Sequence, residues 1–125
     1  MDAKEAKELL QPIPNEDFIR NKYSDEIGKC CAVGHLIRLK SEDPSDFSIE
    51  NCTDWSGTFL FNPEPEVGKF VREECQNFLF KKHKILSCDL ASVNNYNNIN
   101  GYGYDDENIK NRVMKLLDDM IEAGY

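Results

Sequence analysis

The chain has 125 residues, 40% of them hydrophobic and 30% charged, with a formal net charge of −8. This length fits one domain, residues 1–125, with its own core, and the composition is not that of a disordered chain. The acidity argues against direct nucleic-acid binding, which needs concentrated cations to displace counterions, and no apolar run approaches the roughly 20 residues of a bilayer span.

Met1-Asp2-Ala3-Lys4-Glu5 is charged and no apolar h-region follows it, so no signal peptide is read. With an odd number of cysteines (Cys30, Cys31, Cys52, Cys75 and Cys88), the expectation is reduced thiols in the cytoplasm. The Asn-, Ile-, Lys- and Tyr-rich usage points to an AT-rich genome, bacterial or phage.

Residues 2–11 read as a short helix with Ala6, Leu9 and Leu10 on one side, stopped by Pro12 and Pro14. Asn15 is placed to cap a second short helix from Glu16 to Lys22, with Phe18 and Ile19 inward. The stretch 29–40 is apolar nearly all round, the pattern of a buried central helix. Gly34 in its middle costs up to about 1 kcal/mol relative to alanine. Residues 41–64 are the least regular. Phe47-Ser48-Ile49 and Thr58-Phe59-Leu60-Phe61 leave room for one small β-hairpin.

Pro65 opens a helix near 65–82, with Val67, Phe70, Val71, Cys75, Phe78 and Leu79 at helical spacing. Ile85-Leu86 and Leu90-Ala91-Ser92-Val93 are compatible with extended structure. Asp105 opens a last helix near 105–123, striped by Ile109, Val113, Leu116, Leu117, Met120 and Ile121 and closed by Gly124. The basic clusters Lys81-Lys82-His83-Lys84 and Lys110/Arg112/Lys115 read as solvated helix ends or faces. The fold expected is mainly α, a compact helical domain around a buried central helix.

Chemistry has few footholds. Cys30 and Cys31 open the expected central helix, where the dipole lowers a thiol pKa, and His83 with Asn94 completes the chain order of a thiol hydrolase. No local signature of such enzymes accompanies them, and helix cysteines are most often core. His35 shares a helix face with Cys31, but a zinc site would need Cys52, Cys75 or Cys88, and no paired C-x2–4-C spacing exists. No metal or other cofactor is expected. The Gly101-x-Gly103 pair lacks the continuation of a phosphate loop. The Asn/Tyr-rich run 94–104 has the make-up of a binding loop. Its Tyr96, Tyr102 and Tyr104, together with Trp55 among Asn51, Asp54 and Ser56, are the expected partner contacts. The alternative is that the tyrosines fold back onto the core.

Three stretches carry a resemblance: Gly28-Lys29-Cys30-Cys31-Ala32-Val33-Gly34-His35-Leu36, Leu90-Ala91-Ser92-Val93-Asn94-Asn95, and the segment from Lys110 to Ile121. Together they resemble an uncharacterised family of small bacterial and phage proteins. Its members carry a Cys-Ala-Leu/Val-Gly helix, a Val/Trp-Asn-Asp/Asn element and a closing amphipathic helix. The likeness implies no activity. It implies that Cys31, Gly34 and Asn94 belong to one structural unit, with Asn94 capping or bracing a turn against the central helix. Where the family often has Asp, this chain has Asn95.

The function expected is therefore a small acidic, non-enzymatic interaction protein with a protein partner, of the kind that serves phages or mobile elements as an accessory or anti-defence factor. The alternatives are a thiol-dependent hydrolase using Cys30 or Cys31 with His83 and Asn94, and a nucleic-acid mimic, which needs a continuous carboxylate face.

Overall fold

The structure, a computed structural model, describes residues 1–20, 29–40, 65–96 and 104–125. Helix α1 (Ala3–Leu10) starts where the Asp2 side chain accepts from the Glu5 N–H at 2.8 Å. Ala3, Ala6 and Leu10 face inward at i, i+3 and i+7, and Pro12 cannot continue the ladder. The short side chains let α1 lie close against the central helix and the last helix.

Of the second short helix expected from Glu16 to Lys22, the described residues hold only a 3-10 turn, Asn15–Asp17. Pro14 stands at its N-cap, and Asn15 makes no side-chain cap. Phe18 is extended and forms an isolated parallel bridge with Cys30. The Cys30 N–H donates to the Asp17 carbonyl and the Ile19 N–H to the Cys30 carbonyl, both at 3.1 Å. That pairing delays the central helix. It is α2 (Ala32–Lys40), not 29–40, and its residues from Ala32 to Ile37 are buried. The Cys31 sulfur accepts from the Gly34 N–H at 3.4 Å, as a helix cap does.

The next helical stretch begins at Pro65 as expected. It runs through α3 (Pro65–Lys69), a π-helical segment (Phe70–Cys75) and α4 (Gln76–His83). It ends because Lys84 turns left-handed, with φ 59° and ψ 28°. This conformation crowds a Cβ against the following carbonyl at about 1–2 kcal/mol. Lys84→Gly is therefore expected to stabilise the protein by about 1 kcal/mol, net of the extra entropy of an unfolded glycine. A higher urea midpoint would check it.

Leu90–Asn95 is helical, not extended, and forms α5. Its start carries a reciprocal capping box. The Asp89 carboxylate accepts from the Ala91 and Ser92 N–H groups, and the Ser92 hydroxyl accepts from the Asp89 N–H. Helix α6 (Ile109–Glu122) starts four residues later than expected. Asn108 caps it, accepting from the Asn111 N–H at 2.9 Å, and Asp105, Asp106 and Glu107 precede it. Gly124, at φ 90°, closes α6 as expected. Its N–H bonds to the Ile121 carbonyl and the Tyr125 N–H to that of Met120, a Schellman end.

The inward faces of all these helices meet in one hydrophobic cluster, including Leu10, Val33, Leu36, Phe70, Leu79, Leu90, Leu116 and Met120. Among the described residues no strand longer than the Phe18–Cys30 bridge exists. Both expected hairpin segments lie outside the described residues. No helix of the described residues is long and apolar enough to cross a membrane.

Candidate functional site

The buried polar groups come first, because each must be partnered where it sits. Asn94 is fully buried. Its Oδ1 accepts from the Ala32 N–H at 2.9 Å, so it caps α2 from across the core. Its Nδ2 donates to the Ile19 carbonyl at 2.8 Å and to Asn95 Oδ1 at 3.1 Å. One amide thus joins the first extended segment, the start of α2 and the end of α5.

Arg112 lies beneath it, also fully buried. The expectation of a solvated basic face fails for this residue. Its Nε donates to the Val93 carbonyl at 2.9 Å, and one terminal nitrogen donates to the backbone carbonyls of Asp106 and Glu107 at 2.7 and 3.1 Å. The other terminal nitrogen donates to the Asn94 carbonyl. Val93 and Asn94 end α5, where carbonyls have no helical partner. Burial lowers the guanidinium's pKa, helped by the charge of Arg20 and opposed by Asp106. It stays charged, as arginine does in proteins.

His35 is the third buried group. Its Nε2–H donates to the Asp17 carbonyl at 2.9 Å, so the other ring nitrogen carries a lone pair and accepts from Arg38 at 3.0 Å. This is a neutral imidazole wedged at 4.9 Å, centroid to centroid, from Phe18. Burial lowers its pKa and the Arg38 charge adds to this, while the hydrogen bond to Asp17 and the Asp17 charge oppose without reversing it. The unfolded chain therefore binds a proton that the folded one refuses. Stability is complete above the ordinary value of 6.5 and falls as pH drops below it, by up to about 1.4 kcal/mol per pH unit until the folded pKa is reached. Urea midpoints at pH 7.5 and 5.5 should differ more for the native chain than for His35→Gln.

The thiols expected to be chemical are buried as well. Cys30 and Cys31 are both 0% exposed. Cys75 is buried, its sulfur 3.8 Å from that of Met120, and burial pushes its pKa well up. Cys88 is half-buried, and none of the four is in a disulfide. The fold does bring Asn94 to the residue after Cys31, but there the amide caps a helix. His83 is held elsewhere, edge-on to Phe78 and Tyr104 at centroid distances of 6.4 and 5.4 Å. Among the described residues no three His, Cys, Asp or Glu side chains converge as metal ligands.

The expected contact tyrosines part company. Tyr96 is 60% exposed, but Tyr104 is only 8% exposed. The Tyr104 hydroxyl donates to Asp119 Oδ2 at 2.8 Å and lies 3.4 Å from His83 Nε2. A buried ring with a bonded hydroxyl is a structural strut, so Tyr104 is corrected from a contact residue to a core residue. Trp55 and Tyr102 lie outside the described residues.

What does face outward is a shallow groove of about 490 Å³. Arg72, Glu73, Gln76, Asn77 and Phe80 form one wall, and Leu86 and Ser87 the other. The first wall follows helical spacing along the π segment and α4. The second exists because Lys84 and Ser87 both have positive φ, turning the chain back, while Ile85 is anchored in the core and leaves Leu86 pointing out. Phe80 is 46% exposed and Leu86 72%. Phe80 falls outside the stripe Val67, Phe70, Val71, Cys75, Phe78, Leu79, and that off-stripe aromatic was the available sequence signal. No family model, curated protein or solved structure matches this chain.

Proposed function

We propose that this protein is a non-enzymatic interaction domain for a protein partner, and that it binds through the groove between α4 and the link that follows it. The carrying observation is the pairing of Phe80 and Leu86, two large apolar side chains exposed on opposite walls of one groove. Aromatic and aliphatic anchors set in a polar rim are the make-up of a binding patch. Tyr96, also exposed, remains a second contact residue. The burial of Cys30 and Cys31 and the use of Asn94 as a helix cap support this reading over thiol hydrolysis. Against the mimic stands the mixing of charges. Among the described residues, lysines pair with carboxylates at Lys7–Asp118, Lys40–Glu5, Lys40–Glu66 and Lys115–Asp106. A cytoplasmic accessory or anti-defence role for a phage or mobile element fits the small size, the acidity and the composition.

The test is a random-peptide display selection on the native chain. Recovered peptides should lose at least about tenfold in affinity, roughly 1.4 kcal/mol, on Leu86→Ser. Because Leu86 is largely exposed, this variant should keep the native far-UV spectrum. Peptides indifferent to Leu86 and Phe80, or no peptides, would sink the reading.

A further inference from the structure

The two ring nitrogens of His35 are committed to opposite kinds of partner. Nε2 faces the Asp17 carbonyl at 2.9 Å, which can only accept, and Nδ1 faces the Arg38 guanidinium at 3.0 Å, which can only donate. The closed arrangement therefore admits only the neutral ring, protonated at Nε2. A second proton, on Nδ1, would point one N–H at another, beside a cation. Among the described residues the charged groups acting on the ring are Arg38, on the same helix, and Asp17, on the 3-10 turn. Swinging Arg38 away is not enough. His35 is 0% exposed, so the new N–H would have neither an acceptor nor water.

The way to water is set by what covers the ring. It stems from α2, and Phe18 lies against it at 4.9 Å between centroids. In the segment Asn15–Ile19 only Phe18 is buried, and the regular structure amounts to a single 3-10 turn. Its ties to neighbouring chain are the Cys30 N–H on the Asp17 carbonyl, the Ile19 N–H on the Cys30 carbonyl and Asn94 Nδ2 on the Ile19 carbonyl. Little apolar surface holds it down. We infer that His35 is an acid-operated latch: on gaining a proton, its ring releases the segment Asn15–Ile19 from Cys30 and the start of α2, while the helical core stays folded. The closed ring resists protonation, chiefly through burial and further through Arg38, whereas the opened ring is solvated and titrates near 6.5. Opening is therefore least favoured above that value. It gains by up to about tenfold per pH unit as pH falls from there to the closed pKa. The latch is independent of the groove.

Native-state amide exchange, followed by NMR on the full chain and corrected for the intrinsic effect of pH, is the test. The Ile19 and Cys30 amides should exchange through an opening that dilute urea barely promotes, since it exposes little surface. From pH 7.5 to 5.0 that opening should become at least about fivefold more populated. The Leu116 and Leu117 amides, in the buried stripe of α6, should exchange more slowly and only through urea-sensitive unfolding of the whole chain. The rise should vanish in His35→Gln, whose amide offers Asp17 a donor and Arg38 an acceptor and gains no proton. It should shrink in Arg38→Gln, where an amide oxygen can accept from Nδ1–H, and this half-exposed position carries the test if His35→Gln does not fold. A rise undiminished in either variant overturns the latch. So does an opening indifferent to pH, and so do Ile19 and Cys30 amides that match those of α6 in rate and urea dependence at pH 5.0.

Discussion

Replacing Arg112 by methionine is expected to destabilise the protein by about 4 kcal/mol, more than any other single change at a buried polar position. Methionine nearly preserves the volume, so little of this is a cavity. The loss comes from the four carbonyls of Val93, Asn94, Asp106 and Glu107, which the guanidinium now satisfies. A buried acceptor left alone costs about 1–3 kcal/mol, and water reaching the Asp106 and Glu107 side recovers part of it. Arg112→Lys should recover less than half. An ammonium is a point charge and cannot span carbonyls from the end of α5 and from the turn before α6. Urea denaturation followed by far-UV circular dichroism reads the difference. A loss below about 1 kcal/mol would mean that the carbonyls find other partners and that Arg112 does not hold the two segments.

Asn94→Ala should cost about 3 kcal/mol by the same reasoning. It leaves the Ala32 N–H and the Ile19 carbonyl without their partner, one a donor at a helix start and the other an acceptor. Asn94→Asp separates the two. The carboxylate still accepts from Ala32, but it faces the Ile19 carbonyl and Asn95 Oδ1, both acceptors, with no proton to offer. The aspartate variant should therefore be least stable at neutral pH and regain stability as pH falls into the carboxyl range, where a protonated acid donates. A flat pH dependence relative to Asn94→Ala would contradict this geometry. Because the Asn94 carbonyl is itself an Arg112 acceptor, the double variant should lose less than the sum of the two single ones.

These two residues mark the boundary between what patterns reveal and what they do not. Arg112 sits beside Val113 on α6, and only its charge suggested a solvated position. A guanidinium at the edge of an apolar stripe is equally able to reach inward along its stem. Which happens depends on whether helix-end carbonyls wait underneath, and those belong to residues 18 and 19 positions earlier in the chain. Asn94 was nearer to legible. The resemblance suggested a brace against the central helix, and the Ala32 bond is such a brace. Leu90-Ala91-Ser92-Val93 looked extended because β-compatible residues are neutral in so short a run, while the signal that decided it was Asp89 with Ser92 three residues on. The Glu16–Lys22 helix failed because Phe18 found a better partner in Cys30, a pairing that local propensity cannot weigh.

The sequence by itself determined the mainly α character, the helices built on strong 3.6-residue stripes, the buried middle of the central helix and the Gly124 stop. Each of these depends on a residue and its neighbours within a turn or two, where propensity and periodicity act. Only the tertiary structure decided the shortened start of α2, the inward turn of Arg112 and Tyr104, and the exposure of Phe80 and Leu86. Those outcomes depend on hydrogen-bond donors and acceptors brought together from distant segments. A buried polar group goes where its partner is, and a surface groove exists only between walls that the chain supplies separately.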